Sequence, residues 1–167
     1  MPRRMELRAP AEIQTALDEL FERVGRLAVT DTNRVYLLRY GYILLPELVK
    51  AGVVERLMGY TRRQTKEKHT IDFIYNSLVS IHVEFRADVI NDLLKKFDSA
   101  WTDEIKTFAY EKGDNIDELY ESLTNIADDR NFVAHFQNIT VDEGDLRRKY
   151  DNVKSFIELL DSFLRSK

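Results

Sequence analysis

An arginine and a histidine stand close together in the stretch DDRNFVAHF, residues 128–136. An arginine stays charged at neutral pH and can hold a phosphate with two parallel N–H bonds, whereas a histidine gains and loses protons in this pH range. RNA carries its own nucleophile, the 2′-hydroxyl, so a cation and a group that moves protons suffice to cleave it without a metal. Arg130 and His135 are therefore candidate catalytic residues, and Asn131 could orient the histidine or the phosphate.

The helix that must carry these residues has a recognisable start. Asn115 can cap it, with Glu118 three residues later, and we expect the helix to run to His135. Wound at about 100° per residue, it places Arg130 in the middle of an apolar stripe and Asp128, Asn131 and His135 on an adjacent one. The stripe comprises Ile116, Leu119, Leu123, Ile126, Ala127 and Ala134. An arginine that faces a core needs an anionic partner, which is either a carboxylate of a neighbouring helix or a bound phosphate. Alternatively, its aliphatic stem lies along the core and carries the charge out to water at the end of the bundle.

Two aromatic residues and the count of histidines bear on the oligomeric state. Phe132 and Phe136 point toward the charged face of the predicted helix, so either the helix ends there or a partner chain covers them. Cleavage needs both an acid and a base, and a symmetric homodimer would supply a second His135. His69 and His82 are alternatives for the second group, but His82 lies in an apolar segment and is expected to be a core histidine.

Composition and apolar spacing predict an all-α protein that folds as a single domain, residues 1–167. The residues are 44% hydrophobic and 32% charged, with only six Gly and three Pro, which favours long helices over sheets with many turns. The loop EKGDN precedes the helix that carries the motif. The other predicted helices are 10–28, a central helix that Asp31 caps and Pro46 bends or breaks, 71–97 with an allowance for a break near Arg86, 101–110, and 143–165.

A basic segment without apolar residues, 61–70, follows the central helix. It contains Arg62, Arg63, Lys66 and Lys68, and it is either a solvated connector or a patch that contacts the RNA backbone. The formal net charge of −4 argues against a protein that coats nucleic acid, so we expect local RNA contact and no DNA binding.

Several classes of protein are disfavoured by what the sequence lacks. There is no cysteine for a disulfide or thiolate site, the three histidines form no compact metal-binding cluster, and no glycine-rich phosphate loop occurs. We therefore predict no cofactor and no metal. The apolar region VYLLRYGYILLPELV is interrupted by Arg39 and Pro46, so no membrane span is expected, and the start of the chain resembles no export signal. A cytoplasmic location is the resulting expectation.

The motif and the order of the segments resemble a known family. Arg130 to His135, RNFVAH, is similar to the Rx4–6H signature of HEPN domains. The order of the segments NRVYLLRYGYILL, DFIYNSLVSIHVEF and NIDELYESLTNIADDRNFVAHF resembles the RiboL-PSP type of HEPN domain. One departure is Pro46, which interrupts the second helix where the family typically has none.

The resemblance implies a bundle of four or five core helices that dimerises with two motifs facing each other. It also implies a metal-independent endoribonuclease, often a toxin with an antitoxin or a defence effector, in which Arg130, Asn131 and His135 inherit the catalytic roles. Some HEPN domains are inactive, so the alternative is a non-catalytic helical module that binds a protein partner or a nucleotide. A groove open to solvent at Arg130 would favour the enzyme, and a salt bridge of Arg130 within one chain would favour the module.

Overall fold

The computed structural model describes residues 7–135 and 141–167, and this part of the chain is all-α, as predicted. It contains no strand, and none of its helices is both long and apolar enough to cross a membrane. Phe136, which we expected at a dimer interface, lies outside the described residues. The helices are α1 (Pro10–Arg26), α2 (Thr32–Gln64), α3 (Lys68–Val79), α4 (Ala87–Phe97), α5 (Trp101–Lys112), α6 (Ile116–Ala134) and α7 (Glu143–Arg165).

Helix α2 is the central element of the bundle and packs against α1, α3, α6 and α7. It begins where Asp31 accepts a hydrogen bond from the backbone N–H of Asn33, at 2.8 Å, as the predicted cap requires. Of the two effects predicted for Pro46, a bend or a break, the break is wrong, because α2 is one helix of 33 residues that runs through Pro46. Pro46 is buried, and packing on several sides offsets the one backbone hydrogen bond that a proline removes.

Two glycines of α2 allow α7 to approach its backbone closely. A Cβ atom at Gly52 would lie 2.3 Å from Cδ1 of Ile157, and one at Gly41 would lie 2.5 Å from Cδ2 of Leu146. Both partners belong to α7 and are buried in the same core. The core is therefore built by α2 with α7 as well as with the motif helix α6.

The predicted helix over 71–97 is divided in two, since the segment 80–86 separates α3 from α4 and ends at Arg86, near which the prediction allowed a break. Lys50 of α2 donates hydrogen bonds from Nζ to the backbone oxygens of Val79, at 3.2 Å, and Ile81, at 2.5 Å. These bonds satisfy carbonyls that the end of α3 leaves without a helical partner. Phe85 of this segment is buried, and its ring centroid lies 5.7 Å from Lys50 Nζ. The 80–86 segment is thereby held beside α2.

Helix α6 presents the candidate motif at its C-terminal end. It begins at the predicted cap, where Asn115 Oδ1 accepts from the N–H of Glu118 at 3.3 Å. It ends one residue before the predicted position, with His135 as the C-cap residue and its N–H bonded to the carbonyl of Asn131. Val133 is the last buried residue of this helix, so its final turn extends past the edge of the core.

Candidate functional site

A small open cavity lies where α2, the 80–86 segment and the end of α6 meet. Its volume is about 160 Å³, and we call it the Arg130 pocket. Arg130 is the contribution of α6 to its lining. The other lining residues are Ile43, Pro46, Glu47 and Lys50 of α2 and His82, Val83 and Glu84 of the 80–86 segment.

Arg130 lies at the edge of the core and is not enclosed by the apolar residues of the stripe on which the sequence places it. Its side chain is 42% exposed, and Ala134, predicted on the same stripe, is exposed as well. Arg130 Nε lies 3.3 Å from Oε1 of Glu84, and its NH1 donates to Oδ1 of Asn131 at 3.3 Å. A half-exposed guanidinium has water as an alternative partner, so Glu84 can be replaced by another anion at modest cost.

His135 is exposed and does not line the Arg130 pocket. Five residues of helix separate it from Arg130, which corresponds to about 7.5 Å along the axis and about 140° around it. Asn131 is also exposed and lies only about 40° from His135 by the same geometry. The structure thus places Asn131 and His135 on one face of α6, while Arg130 points to a different side, toward α2.

His82 occupies a place that sequence reasoning did not assign to it. It was expected to be a core histidine within a helix, but it is exposed in the 80–86 segment and lines the Arg130 pocket. The apolar residues around it keep helical spacing, so periodicity gave no signal that the helix stops at Val79. Within a single chain, His82 is therefore the histidine that shares a cavity with Arg130.

The charges in and around the pocket are mixed. Burial lowers the pKa of Lys50, and the nearby carboxylate of Glu84 partly opposes this effect. Asp128, which was predicted to join the polar face of the motif, instead pairs with Arg86, with Oδ1 2.9 Å from NH1. An anion entering the pocket would meet Arg130 but also the carboxylates of Glu47 and Glu84. The ammonium of Lys50 already donates to two backbone carbonyls, and Glu84 competes for Arg130.

A charged network holds the motif helix against its neighbours. Lys149 of α7, whose side chain is only 9% exposed, contacts Asp129 of α6 and Asp145 of α7, each at 2.5 Å. The hydroxyl of Tyr42 donates to Asp145 at 2.8 Å. Burial alone would raise the pKa of Asp145, but the hydrogen bonds from Lys149, Tyr42 and Arg148 outweigh it and hold the pKa below its usual value. Asp129 precedes Arg130, so this network fixes the position of the motif.

The predicted basic patch is not brought to the Arg130 pocket. Arg62 and Arg63 form the last turn of α2, and Lys68 begins α3. Arg63 donates to the carbonyl of Leu164 at 2.9 Å and thereby helps to cap α7. Twelve residues of helix separate Lys50 from Arg62, or about 18 Å along the axis. This segment can serve the site only through a ligand that spans that distance.

Comparison with known proteins adds no relative. No family model matches the chain, and no curated protein or solved structure matches it. Within residues 7–135 and 141–167, no group of three or more His, Cys, Asp or Glu side chains is arranged to hold a metal ion. The residues of the Arg130 pocket and the RNFVAH motif are therefore the features that bear on function.

Proposed function

We propose that this protein is a metal-independent endoribonuclease of the HEPN type that acts as a two-fold homodimer. The observation that carries the proposal is the position of the motif on α6, where Arg130 lines an open pocket and His135 is exposed to solvent one turn further on. Both groups are accessible to a polyanion, as phosphate binding and proton transfer require. The order of residues in RNFVAH supports the family, and the all-α bundle is compatible with it.

The proposed reaction is transesterification within the RNA. A histidine takes the proton of the 2′-hydroxyl, the 2′-oxygen forms a bond to phosphorus, and the bond from phosphorus to the 5′-oxygen breaks while that oxygen receives a proton from an acid. The products are a 2′,3′-cyclic phosphate and a 5′-hydroxyl. His135 transfers protons, and Arg130 stabilises charge on the phosphoryl oxygens. Asn131 orients either the imidazole of His135 or the phosphate.

A dimer would allow Arg130 and His135 to act on one phosphate although they point in different directions from a single helix. Because the two side chains point about 140° apart, one chain does not direct both at one phosphate, whereas a two-fold axis can bring His135 of one chain toward Arg130 of the other. Phe132, 47% exposed beside His135, provides an apolar contact for such a partner. A toxin or defence effector in the cytoplasm, with an antitoxin as partner, is the biological setting that the family suggests.

A non-catalytic helical module that binds a protein or a nucleotide is the second candidate. The ion pair between Arg130 and Glu84 favours it, because it gives the arginine an anionic partner inside one chain. The pair would then be a structural element at the edge of the bundle. Arg130 would make no contact with RNA.

Incubation of the purified protein with total RNA in EDTA separates the two candidates. The enzyme should cut RNA without a divalent cation and leave 2′,3′-cyclic phosphate and 5′-hydroxyl ends, which end-specific ligation and sequencing detect. Intact RNA after incubation with dimeric protein would favour the module. Cleavage that EDTA abolishes would contradict the metal-independent mechanism.

A further inference from the structure

A second, larger groove lies between the end of α1 and the start of α2. Its volume is about 500 Å³, and none of the described residues that line it is a carboxylate. Tyr36 and Tyr40 form one wall and are 63% and 46% exposed, which is unusual for two aromatic rings on adjacent turns. Arg23 and Arg26 of α1 form the opposite wall, and Leu37 contributes to the floor. We call this the tyrosine groove.

The tyrosine groove and the Arg130 pocket lie on the same face of α2. Tyr36, Tyr40, Ile43, Glu47 and Lys50 follow one another at intervals of three or four residues and so form one stripe, about 80° wide. The first two line the tyrosine groove, and the last three line the Arg130 pocket. From Tyr40 to Lys50 the stripe extends about 15 Å along the axis, a distance that a few nucleotides of a single strand can span.

We infer that the tyrosine groove binds unpaired bases of a single-stranded RNA whose backbone continues along α2 to Arg130. Exposed aromatic rings beside arginines are the usual means of holding single-stranded nucleic acid, because each base can stack on a ring while cations contact the phosphates. The choice of RNA as occupant rests on the proposed function and on the charge of the groove. Among the residues that the structure describes, Arg26 pairs with Glu22 alone, at 3.4 Å and with both side chains largely exposed, so this pair competes weakly with phosphate.

Other occupants fit the groove less well. A second copy of this chain, docked groove to groove, would bring Arg23 and Arg26 toward their own counterparts without a lining carboxylate to pair with them. Paired RNA would not expose its bases to the tyrosine rings. An acidic protein segment would use the arginines but would gain little from two flat, exposed rings.

Binding of a 2′-O-methyl RNA tests the inference on the full-length wild-type protein, because this RNA lacks the nucleophile and is not cut. The probe is a fluorescein-labelled single strand of roughly a dozen nucleotides, a length suited to such sites, and binding is followed by anisotropy. Tyr36→Ala and Tyr40→Ala should each weaken binding about tenfold, the usual effect of losing one stacked base. Tyr36→Phe and Tyr40→Phe keep the ring and should bind like the wild type.

Tyr110→Ala is the matched control, since Tyr110 is 86% exposed on α5 and lines neither the tyrosine groove nor the Arg130 pocket. It should bind the probe like the wild type. Arg23→Ala should weaken binding and lower its salt dependence, because one phosphate contact is lost. A duplex of the same sequence should bind more weakly than the single strand.

The outcomes separate this inference from the proposed function. Tyrosine-dependent binding in a protein that leaves total RNA intact would uphold the groove and reject the ribonuclease. If the Tyr36→Ala and Tyr40→Ala proteins bind the probe normally and still cut RNA, the tyrosine groove does not bind bases, and the proposed ribonuclease activity stands. Equal binding of duplex and single strand would overturn the inference, because a duplex offers no unpaired bases to the rings. If the Tyr36→Ala or Tyr40→Ala protein loses its dimer in light scattering but binds RNA normally, the tyrosine groove contacts another copy of the chain and the inference is also overturned.

Discussion

Arg130 of α6 and Glu84 of the 80–86 segment form an ion pair, with Arg130 Nε 3.3 Å from Glu84 Oε1. The pair joins two elements that are distant in sequence, and the 80–86 segment is itself held by Lys50. It is open to water, because the side chains of Arg130 and Glu84 are 42% and 27% exposed. An anion that displaces Glu84 would find Arg130 already oriented toward the pocket. The pair can therefore set the affinity of the site without contributing much to the stability of the fold.

We expect Glu84→Gln to strengthen RNA binding by severalfold, because it removes the carboxylate that competes with phosphate for Arg130. The stability should change by less than about 1 kcal/mol, as for other solvent-exposed ion pairs. Anisotropy with uncleavable RNA and urea denaturation measure the two effects. Glu111→Gln on α5 removes an equal charge from an exposed position outside the pocket and should leave the affinity nearly unchanged. Weaker RNA binding by Glu84→Gln would show that Glu84 positions Arg130 and does not compete with RNA.

His135→Ala should abolish RNA cleavage while the protein still folds, dimerises and binds RNA, because the imidazole moves protons and does not hold the phosphate. Arg130→Ala should weaken both binding and turnover, since the anion contact serves the ground state and the transition state. Cleavage assays, light scattering and anisotropy on the same preparations give the three readouts. His69→Ala is the control, because His69 is exposed on α3 and does not line the pocket.

The position of His82 provides a further arm of this experiment. If a second His135 in a dimer supplies the acid or base, His82→Ala should retain cleavage. A His82→Ala protein as inactive as His135→Ala would indicate that the two groups act from one chain. Cleavage that survives unchanged in both His135→Ala and Arg130→Ala would reject the catalytic assignment of the motif and leave the binding module.

The sequence predicts the fold well where the determining interactions are local. The caps at Asp31 and Asn115 were correct because a cap depends on residues that are two or three positions apart. A break near Arg86 was allowed for, but its full extent over 80–86 was not, because the contact at the end of α3 comes from Lys50, about thirty positions earlier in the chain. The partner of Arg130 could not be named for the same reason, since Glu84 lies in this segment. Helical winding alone separates the direction of Arg130 from that of Asn131 and His135, whereas the exposure of Arg130 depends on where the core ends.

Gly52→Ala should lower the free energy of unfolding by about 1–3 kcal/mol, the usual effect of adding a methyl group to a packed core. The added Cβ would lie 2.3 Å from Cδ1 and 2.8 Å from Cγ1 of Ile157, a buried side chain that has little room to move. Gly25→Ala in α1 is the matched control, because nothing beyond the adjoining residues and backbone of α1 lies within 4 Å of its Cβ position. Alanine is the better helix former, so this control should raise stability by up to about 1 kcal/mol. Urea denaturation should therefore show changes of opposite sign, and a stabilised Gly52→Ala protein would contradict the close packing of α2 and α7.

Lys149→Met tests the network that holds α6 in place. Methionine keeps most of the side-chain volume but removes the ammonium group, so Asp129 and Asp145 lose the cation that each contacts at 2.5 Å. We expect the free energy of unfolding to fall by about 3 kcal/mol, the lower end of the range for breaking a buried ion pair, because both carboxylates retain some contact with water. Lys154→Met is the control on the same helix, since its pair with Asp151 is largely exposed and should contribute less than about 1 kcal/mol. Urea denaturation of both variants gives the comparison, and equal effects would show that burial of Lys149 adds nothing to its pairing. Because Asp129 precedes Arg130, the Lys149→Met protein should also bind RNA more weakly than Lys154→Met at a temperature where both are folded.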